Sequence, residues 1–462
     1  MANIKFGTDG WRAIVDKDFT PENVEIVTKA IGKYVFDSFG LGKKILVGYD
    51  PREKAKEFAQ QCVNILTCHG FHVILSKHVI PTPVLAYGSK LYNACSIMFT
   101  ASHNPPQYLG IKFIPDYAGP ATTKITDAIV SNLGKEICIE EKKCKGKTEE
   151  FCFRTCYFKH LKEIINFEAI KTLKTNIIFD GLYAATIGYF DWILDELGIL
   201  YQSLHMNFDP NFGGGMPEPK PKFLKELITK VKLQPNSIGL ANDGDGDRFG
   251  IINEKGEYVT PNEVFGILFL YLKQVKKLNG PVIKTVSVSG LIEKIAEKLN
   301  VEIIETPVGF KYVGEMMRKT NAIIGGEESG GLSIQGHIPE KDGILANLLI
   351  LEAMGSKCKS LFELQKELYD FAGTMFFDDR IDLKLEDISQ VKTALDKVKE
   401  MKEVGKFKVI KTDTKDGIKL CLDDNLSWIL VRQSGTEPLL RIYFESDSKE
   451  KIKYLQESIN LL

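Results

Sequence analysis

Three aspartates at alternate positions, Asp243, Asp245 and Asp247 in NDGDGDRFG, carry the densest chemical signal in the chain. Carboxylates this close repel one another unless they share a cation. An oxygen-only donor set suits Mg²⁺ or Ca²⁺. An EF-hand reading would put the aspartates at loop positions 1, 3 and 5 and Glu254 at 12, but Arg248 stands where that loop needs glycine. The flanks also disagree: IGLA reads as a strand and FGIINEKGEYV as a hairpin. Mg²⁺, one ion per chain, is the expectation; the alternative without function is a solvated acidic turn. Mg²⁺ accepts a few carboxylates and fills its remaining positions with water or phosphate oxygen.

Five further segments hold candidate residues. Ser102 lies in TASHNPP, where the prolines stiffen the loop and could hold one hydroxyl at a fixed point. By spacing alone a serine in a turn is the favoured reading. His103 could serve as a base, but beside Asn-Pro a loop hydrogen-bonding role is favoured. Arg432, Ser434, Gly435 and Thr436 in VRQSGTEP could cradle a phosphate with a guanidinium fork, hydroxyls and backbone N–H groups; SGT is also a common turn. Glu327, Glu328 and Ser329 in GGEESGG could hold sugar hydroxyls or form a solvated acidic loop. Arg12 in GTDGWR and Lys112 in LGIKF are cations near glycines and say little by themselves.

The elements that must position these residues alternate along most of the chain. Pro21 to Phe39 and Glu53 to Cys68 have helical periodicity; KILVGY, FHVIL and CSIMFT read as buried strands. Residues 140–150 are charged and read as a linker. A second cycle follows: a helix near 156–170, strand NIIF, a helix near 185–196 and strand IGLA. A third runs from a helix at 261–277 through strand 282–288 and a helix at 290–299 to AIIG. From 371 the pattern changes to antiparallel-looking strands and a terminal helix. The expectation is three similar α/β domains, 1–150, 151–256 and 257–370, and a smaller α+β domain, 371–462. Each α/β unit holds one apolar strand running into a polar loop: IMFTASHNP, IGLANDGDGDR and AIIGGEESGG. Ligand crevices in open α/β sheets lie at the carboxyl ends of strands, so three such loops could face one cleft.

The chain has 462 residues and a net charge of −1 from 60 basic and 61 acidic side chains, which argues against a nucleic-acid footprint or a polybasic membrane surface. No apolar run approaches a membrane span, and MANIKFGTDGWRAIV lacks the form of a signal peptide. The nine cysteines form no CxxC pair and read as reduced thiols. Cys138, Cys144, Cys152 and Cys156 with His160 fit no usual zinc spacing.

Taken together, FGTDGWR, TASHNP, GIK, DGDGDR, TPVGFK, GEESGG and RQSGTEP occur in the order and approximate spacing of the α-D-phosphohexomutase superfamily, the phosphoglucomutases and phosphomannomutases. The resemblance covers essentially the whole chain, and DPNFGGGMPEP is also similar to a family segment. It implies four domains around a central cleft, with Ser102 as phosphoserine and the three aspartates binding Mg²⁺ together with its phosphate. It implies Arg12, Lys112 and Arg248 as cations around the transferring phosphoryl. Thr306, Gly309, Glu327 and Ser329 match the sugar-binding loops, and Arg432, Ser434, Gly435 and Thr436 the distal phosphate loop. Lys311 is a candidate acid–base or phosphate-contacting residue. The implied reaction interconverts hexose 1-phosphate and hexose 6-phosphate through a hexose 1,6-bisphosphate, which also serves as activator. Phe310, Gly331 and Leu109, where relatives carry His, His and Asn, lean towards glucose phosphate, with mannose phosphate possible. The alternatives are a phosphoglucosamine mutase, an inactive phosphosugar-binding relative, or a metal-dependent phosphatase. A cytoplasmic monomer or homodimer is expected.

Overall fold

The computed structural model describes residues 4–7, 9–137, 146–433 and 439–459. The first sheet is built from β1 (Trp11–Ile14), β2 (Ile45–Tyr49), β3 (His72–Ser76), β4 (Cys95–Phe99), β5 (Tyr108–Ile114) and β6 (Lys147–Phe151) in the order β1-β5-β4-β2-β3-β6. β2 and β4 are buried along their whole length, as their unbroken apolar sequences require. The second sheet contains β7 (Asn176–Asp180), β8 (Tyr201–Leu204), β9 (Ser237–Asn242), β10 (Phe249–Ile252) and β11 (Tyr258–Val259), ordered β11-β10-β9-β7-β8. The third holds β12 (Val282–Thr285), β13 (Ile303–Thr306), β14 (Ile324–Gly326) and β15 (Leu332–Ile334), ordered β13-β12-β14-β15.

One arrangement recurs in all three sheets. A strand runs parallel to its neighbour, leaves the sheet in a loop, and returns as an antiparallel strand on its other side. The strands are β4 then β5, β9 then β10, and β14 then β15. The three loops so formed contain Ser102, the aspartates and Glu327. The tail is a sheet of β16 (Phe377–Lys384), β17 (Glu403–Val404), β18 (Phe407–Asp413), β19 (Ile418–Leu422), β20 (Trp428–Gln433) and β21 (Leu439–Ser446), ordered β16-β21-β20-β19-β18-β17, with helix Lys449–Ser458.

One continuous apolar core joins parts of all three α/β sheets, running through Leu46, Phe158, Phe179, Leu268 and Leu348. Its centre includes helix Gly343–Lys357, buried from Gly343 to Gly355 and capped by Asp342, whose Oδ1 accepts from Leu345 N–H at 2.9 Å. The tail has a core of its own around Leu420, Ile429 and Phe444. It meets the third sheet through a small patch of Val286, Trp428, Leu430 and Tyr443.

Several local expectations need correction. Residues 147–150, read as linker, belong to edge strand β6, parallel to β3. Their charges suit a strand with one open edge and an exposed face. The helix near 156–170 is two helices, Arg154–Ile164 and Phe167–Lys171, because Ile165 is extended and Asn166 caps the second. The helix near 185–196 begins only at Phe190, after a turn with Gly188 at φ 80°. The hairpin expected after the aspartates is present as β10 and β11, and Glu254 at its turn accepts hydrogen bonds from Leu361 and Phe362 N–H at the start of helix Leu361–Ala372.

Candidate active site

Ser102 follows β4 in a loop that turns sharply. It has φ 52°, a left-handed conformation uncommon for a residue with a side chain, and is almost fully buried. Its N–H donates to Thr100 Oγ1 at 2.8 Å, and its hydroxyl donates to Asp243 Oδ2 at 2.8 Å. His103 Nδ1 lies 3.3 Å from the same hydroxyl. Burial, with Arg248 and Arg12 nearby, pushes the His103 imidazole well below its usual range, so it is neutral. Asn104 Oδ1 accepts from Arg12 Nη1 at 2.6 Å, which ties β1 to the loop.

The aspartate loop comes against the serine loop at backbone distance. A Cβ on Gly244 would lie 2.3 Å from the Ser102 carbonyl oxygen, so only glycine permits this approach. The three aspartates are fully buried, with ligand oxygens within 4.8 Å of one another. Cations surround them. Lys112 Nζ lies 2.7 Å from Asp245 Oδ2 and 3.0 Å from Asp247 Oδ2; Lys341 Nζ lies 3.0 Å from Asp247 Oδ2. Asp9 Oδ2 is 2.8 Å from Lys112 and 3.8 Å from Arg12. Burial works against the charge on Lys112, but Asp245, Asp247 and Asp9 outweigh it and hold the ammonium well above its usual range. Burial raises Asp243 well above the carboxylate range, and Asp247 and Asp245 add to it. Asp247 is held low because Lys112, Lys341 and Arg248 overcome its burial.

The second oxygens of two aspartates test whether a metal fits. Asp245 Oδ1 and Asp247 Oδ1 are buried and have no hydrogen-bond partner, a costly state for a carboxylate. Two carboxylate oxygens without a hydrogen-bond donor, one of them 4.0 Å from Arg248 Nε, stand beside Asp243 and fit a hard cation such as Mg²⁺. Among the described residues no other group of histidine, cysteine and acidic side chains is placed to share an ion, and every described cysteine is free. Cys138 and Cys144 lie outside the described residues.

The third loop stands beside this centre. Gly309, at φ 129° before helix Phe310–Thr320, donates its N–H to Glu327 Oε1 at 3.0 Å. The two loops matched to sugar binding are therefore joined directly. Thr306 is buried at the end of β13 and donates to the Pro307 carbonyl at 3.1 Å; Ser329 is half-buried in the turn after Glu327. Ser287 donates to Glu328 Oε2 at 2.6 Å. Lys311 makes no ion pair among the described residues; its Nζ lies 5.1 Å from the Tyr312 ring centre. Arg432, from the tail, pairs with Asp416 Oδ2 at 2.8 Å; the same oxygen accepts from Val308 N–H at 2.7 Å. Asp416 thus links the expected distal cradle to the Thr306–Gly309 loop. Ser434, Gly435 and Thr436 lie outside the described residues.

Sequence reasoning singled out neither Asp9, Lys341, Ser287 nor Asp416. Asp9 lies within the quoted FGTDGWR segment, three residues from Arg12. Lys341 precedes the cap of the buried helix, and no local pattern marks it. Its space depends on Gly331, where a Cβ would fall 2.4 Å from Lys341 Cδ.

Comparison with known proteins gives four family matches. They are to the phosphoglucomutase/phosphomannomutase alpha/beta/alpha domains I, II and III, at residues 3–137, 155–256 and 260–371, and to the C-terminal domain at 384–462. The chain is 30% identical over 467 residues to a phosphoglucomutase/phosphomannomutase of Thermococcus kodakarensis, covering 99% of this chain and 98% of that one. It is 30% identical to a phosphoglucosamine mutase of Methanocaldococcus jannaschii, covering 98% and 96%. A crystal structure of a phosphomannomutase candidate from Thermus thermophilus superposes with a TM-score of 0.88 at 32% identity, over 99% of this chain and 98% of that one.

Proposed function

Since the chain belongs to the phosphoglucomutase/phosphomannomutase family and is thereby a phosphohexomutase, an isomerase, we propose that it interconverts glucose 1-phosphate and glucose 6-phosphate with Ser102 as phosphate carrier. The observation that carries this reading is the Ser102 hydroxyl, 2.8 Å from Asp243 inside a buried ring of cations. Phosphoryl transfer demands positioning and charge neutralisation more than covalent chemistry. Arg12, Lys112, Arg248 and Lys341 supply fixed positive charge; Asp243, Asp245 and Asp247 would hold Mg²⁺. When bound, that ion would add positive charge at the phosphoryl oxygens. Glu327 and the Thr306–Gly309 loop orient the sugar, and Arg432 grips its far phosphate. Phosphoserine gives its phosphoryl to one hydroxyl; the bisphosphorylated sugar turns over and returns the other. Burial of Ser102 keeps water from the phosphoserine. Glucose 1,6-bisphosphate would prime the enzyme. We take the domain division to be 1–150, 151–256, 257–370 and 371–462, each contributing residues to the site.

Among the described residues no helix is long and apolar enough to cross a membrane. A small sugar phosphate is the partner in this reading, with the protein a cytoplasmic monomer or homodimer. The names of the relatives favour a second reading, glucosamine phosphate as substrate. Turnover of the 1-phosphates of glucose, mannose and glucosamine, with Mg²⁺ and glucose 1,6-bisphosphate, decides between them. Absence of turnover on all three sinks the mutase reading; inorganic phosphate in excess of isomer indicates a phosphatase. Ser102→Ala is expected to abolish phosphate uptake, measured by intact mass.

A further inference from the structure

Arg52 lies on the loop after β2, outside every motif singled out above, and is buried at 3% exposure. A guanidinium has five N–H donors, and in this one each has an acceptor. Nε donates to Asp50 Oδ2 at 3.2 Å. Nη1 donates to the carbonyls of Pro105 at 2.8 Å and Tyr108 at 3.0 Å. Nη2 donates to the carbonyls of Ser102 at 2.6 Å and Asn104 at 2.7 Å. Three carbonyls of the loop between β4 and β5, and that of Tyr108 at the start of β5, therefore converge on a single side chain. Asp50 completes the clamp: its Oδ2 accepts from Thr100 Oγ1 at 2.6 Å, and Thr100 Oγ1 accepts from Ser102 N–H. Ser102 is held at its N–H through Thr100 and Asp50, and at its carbonyl by Arg52.

That grip has a direction. The Ser102 carbonyl is the atom against which Gly244 packs, so the guanidinium fixes the spacing between serine loop and aspartate loop. Phe212, from the segment between β8 and β9, stacks on the guanidinium with 4.9 Å to the ring centre. We propose that Arg52 is a positioning residue for phosphoryl transfer. It holds Ser102 in its left-handed conformation and so sets the place of the hydroxyl relative to the three aspartates. Lysine cannot replace it, because a compact ammonium does not span four carbonyls.

This inference rests on Ser102 being the phosphate carrier, and the test separates the two. Wild type and Arg52→Lys are incubated with glucose 1,6-bisphosphate and Mg²⁺; phosphoserine is counted by intact mass, and turnover of glucose 1-phosphate is expressed per phosphorylated molecule. Arg52→Lys is expected to lower kcat about a hundredfold, the loss associated with a displacement near 1 Å, with KM within about threefold of wild type. The ratio of inorganic phosphate to isomer should rise, since sugar transfer slows while hydrolysis does not. Phe212→Leu keeps every hydrogen bond of the clamp and should move kcat the same way by a smaller factor, which serves if Arg52→Lys does not fold. A folded Arg52→Lys enzyme with unchanged kcat, or with only KM raised, overturns the inference. A wild type that takes up no phosphate at Ser102 overturns the reading beneath it.

Discussion

At Glu327, burial and neighbouring charges act in opposite directions on one carboxyl. Burial raises its carboxyl to about 7; Glu328 adds to the shift, while Lys341, Arg248 and the Gly309 N–H oppose it. A carboxylate accepts sugar hydroxyls best when ionised, so kcat/KM for glucose 1-phosphate should rise as pH passes through about 7. The substrate phosphate also titrates at about 6. Comparison with Glu327→Gln isolates the enzyme's part: the variant should lose that limb of the profile, and an unchanged profile would refute the assignment. The residues legible in the sequence were those with local patterns. Asp243, Asp245 and Asp247 are neighbours in the chain as well as in space. Lys341 is 94 residues from Asp247 by numbering (341 − 247), and Arg52 is 50 from Ser102. Their partners come from separate strands, so no spacing rule could pair them.

Elements turn these side chains into a site by bringing backbones close. Gly244 touches the Ser102 carbonyl, and the N–H of Gly343, at the start of the buried helix, donates to the Gly246 carbonyl at 3.0 Å. Gly244→Ala should therefore part the two loops. The expected result is a fall in kcat of about a hundredfold and a stability loss of about 1–3 kcal/mol, read by kinetics and urea unfolding. Full activity would show that the loops tolerate separation. Strands such as β2 and β4 were readable because a continuous apolar run suits a doubly covered parallel strand. Edge strand β6 was not, because the charges that suit an open edge also suit a linker. Helix Gly343–Lys357 gave no amphipathic signal because it is buried on every side, so nothing in its pattern marks an outer face.

At the scale of the molecule, one of the groups that join the tail to the third α/β unit titrates. Glu445 on β21 accepts from Gly290 N–H at 2.8 Å and Trp428 Nε1–H at 2.5 Å, with Ser289, Lys284 and Asp378 also facing it. Burial raises it to about 7 from 4.5. An acid raised on folding stabilises the folded form while protonated. Its contribution is complete below about 4.5 and is lost as pH rises through about 7. Protection of the tail amides from hydrogen exchange should fall between about pH 5 and about pH 8, and Glu445→Gln should flatten that fall. Equal protection at both ends would contradict it. The strand order shared by the three α/β sheets has a further consequence, one of ancestry. Three copies of one parallel-strand, loop, antiparallel-strand unit, each bearing a different reactive group at the same loop, are what duplication of a single ancestral unit would leave. Nucleophile, cation site and sugar grip would then be three descendants of one loop, divided in labour while their scaffold stayed the same.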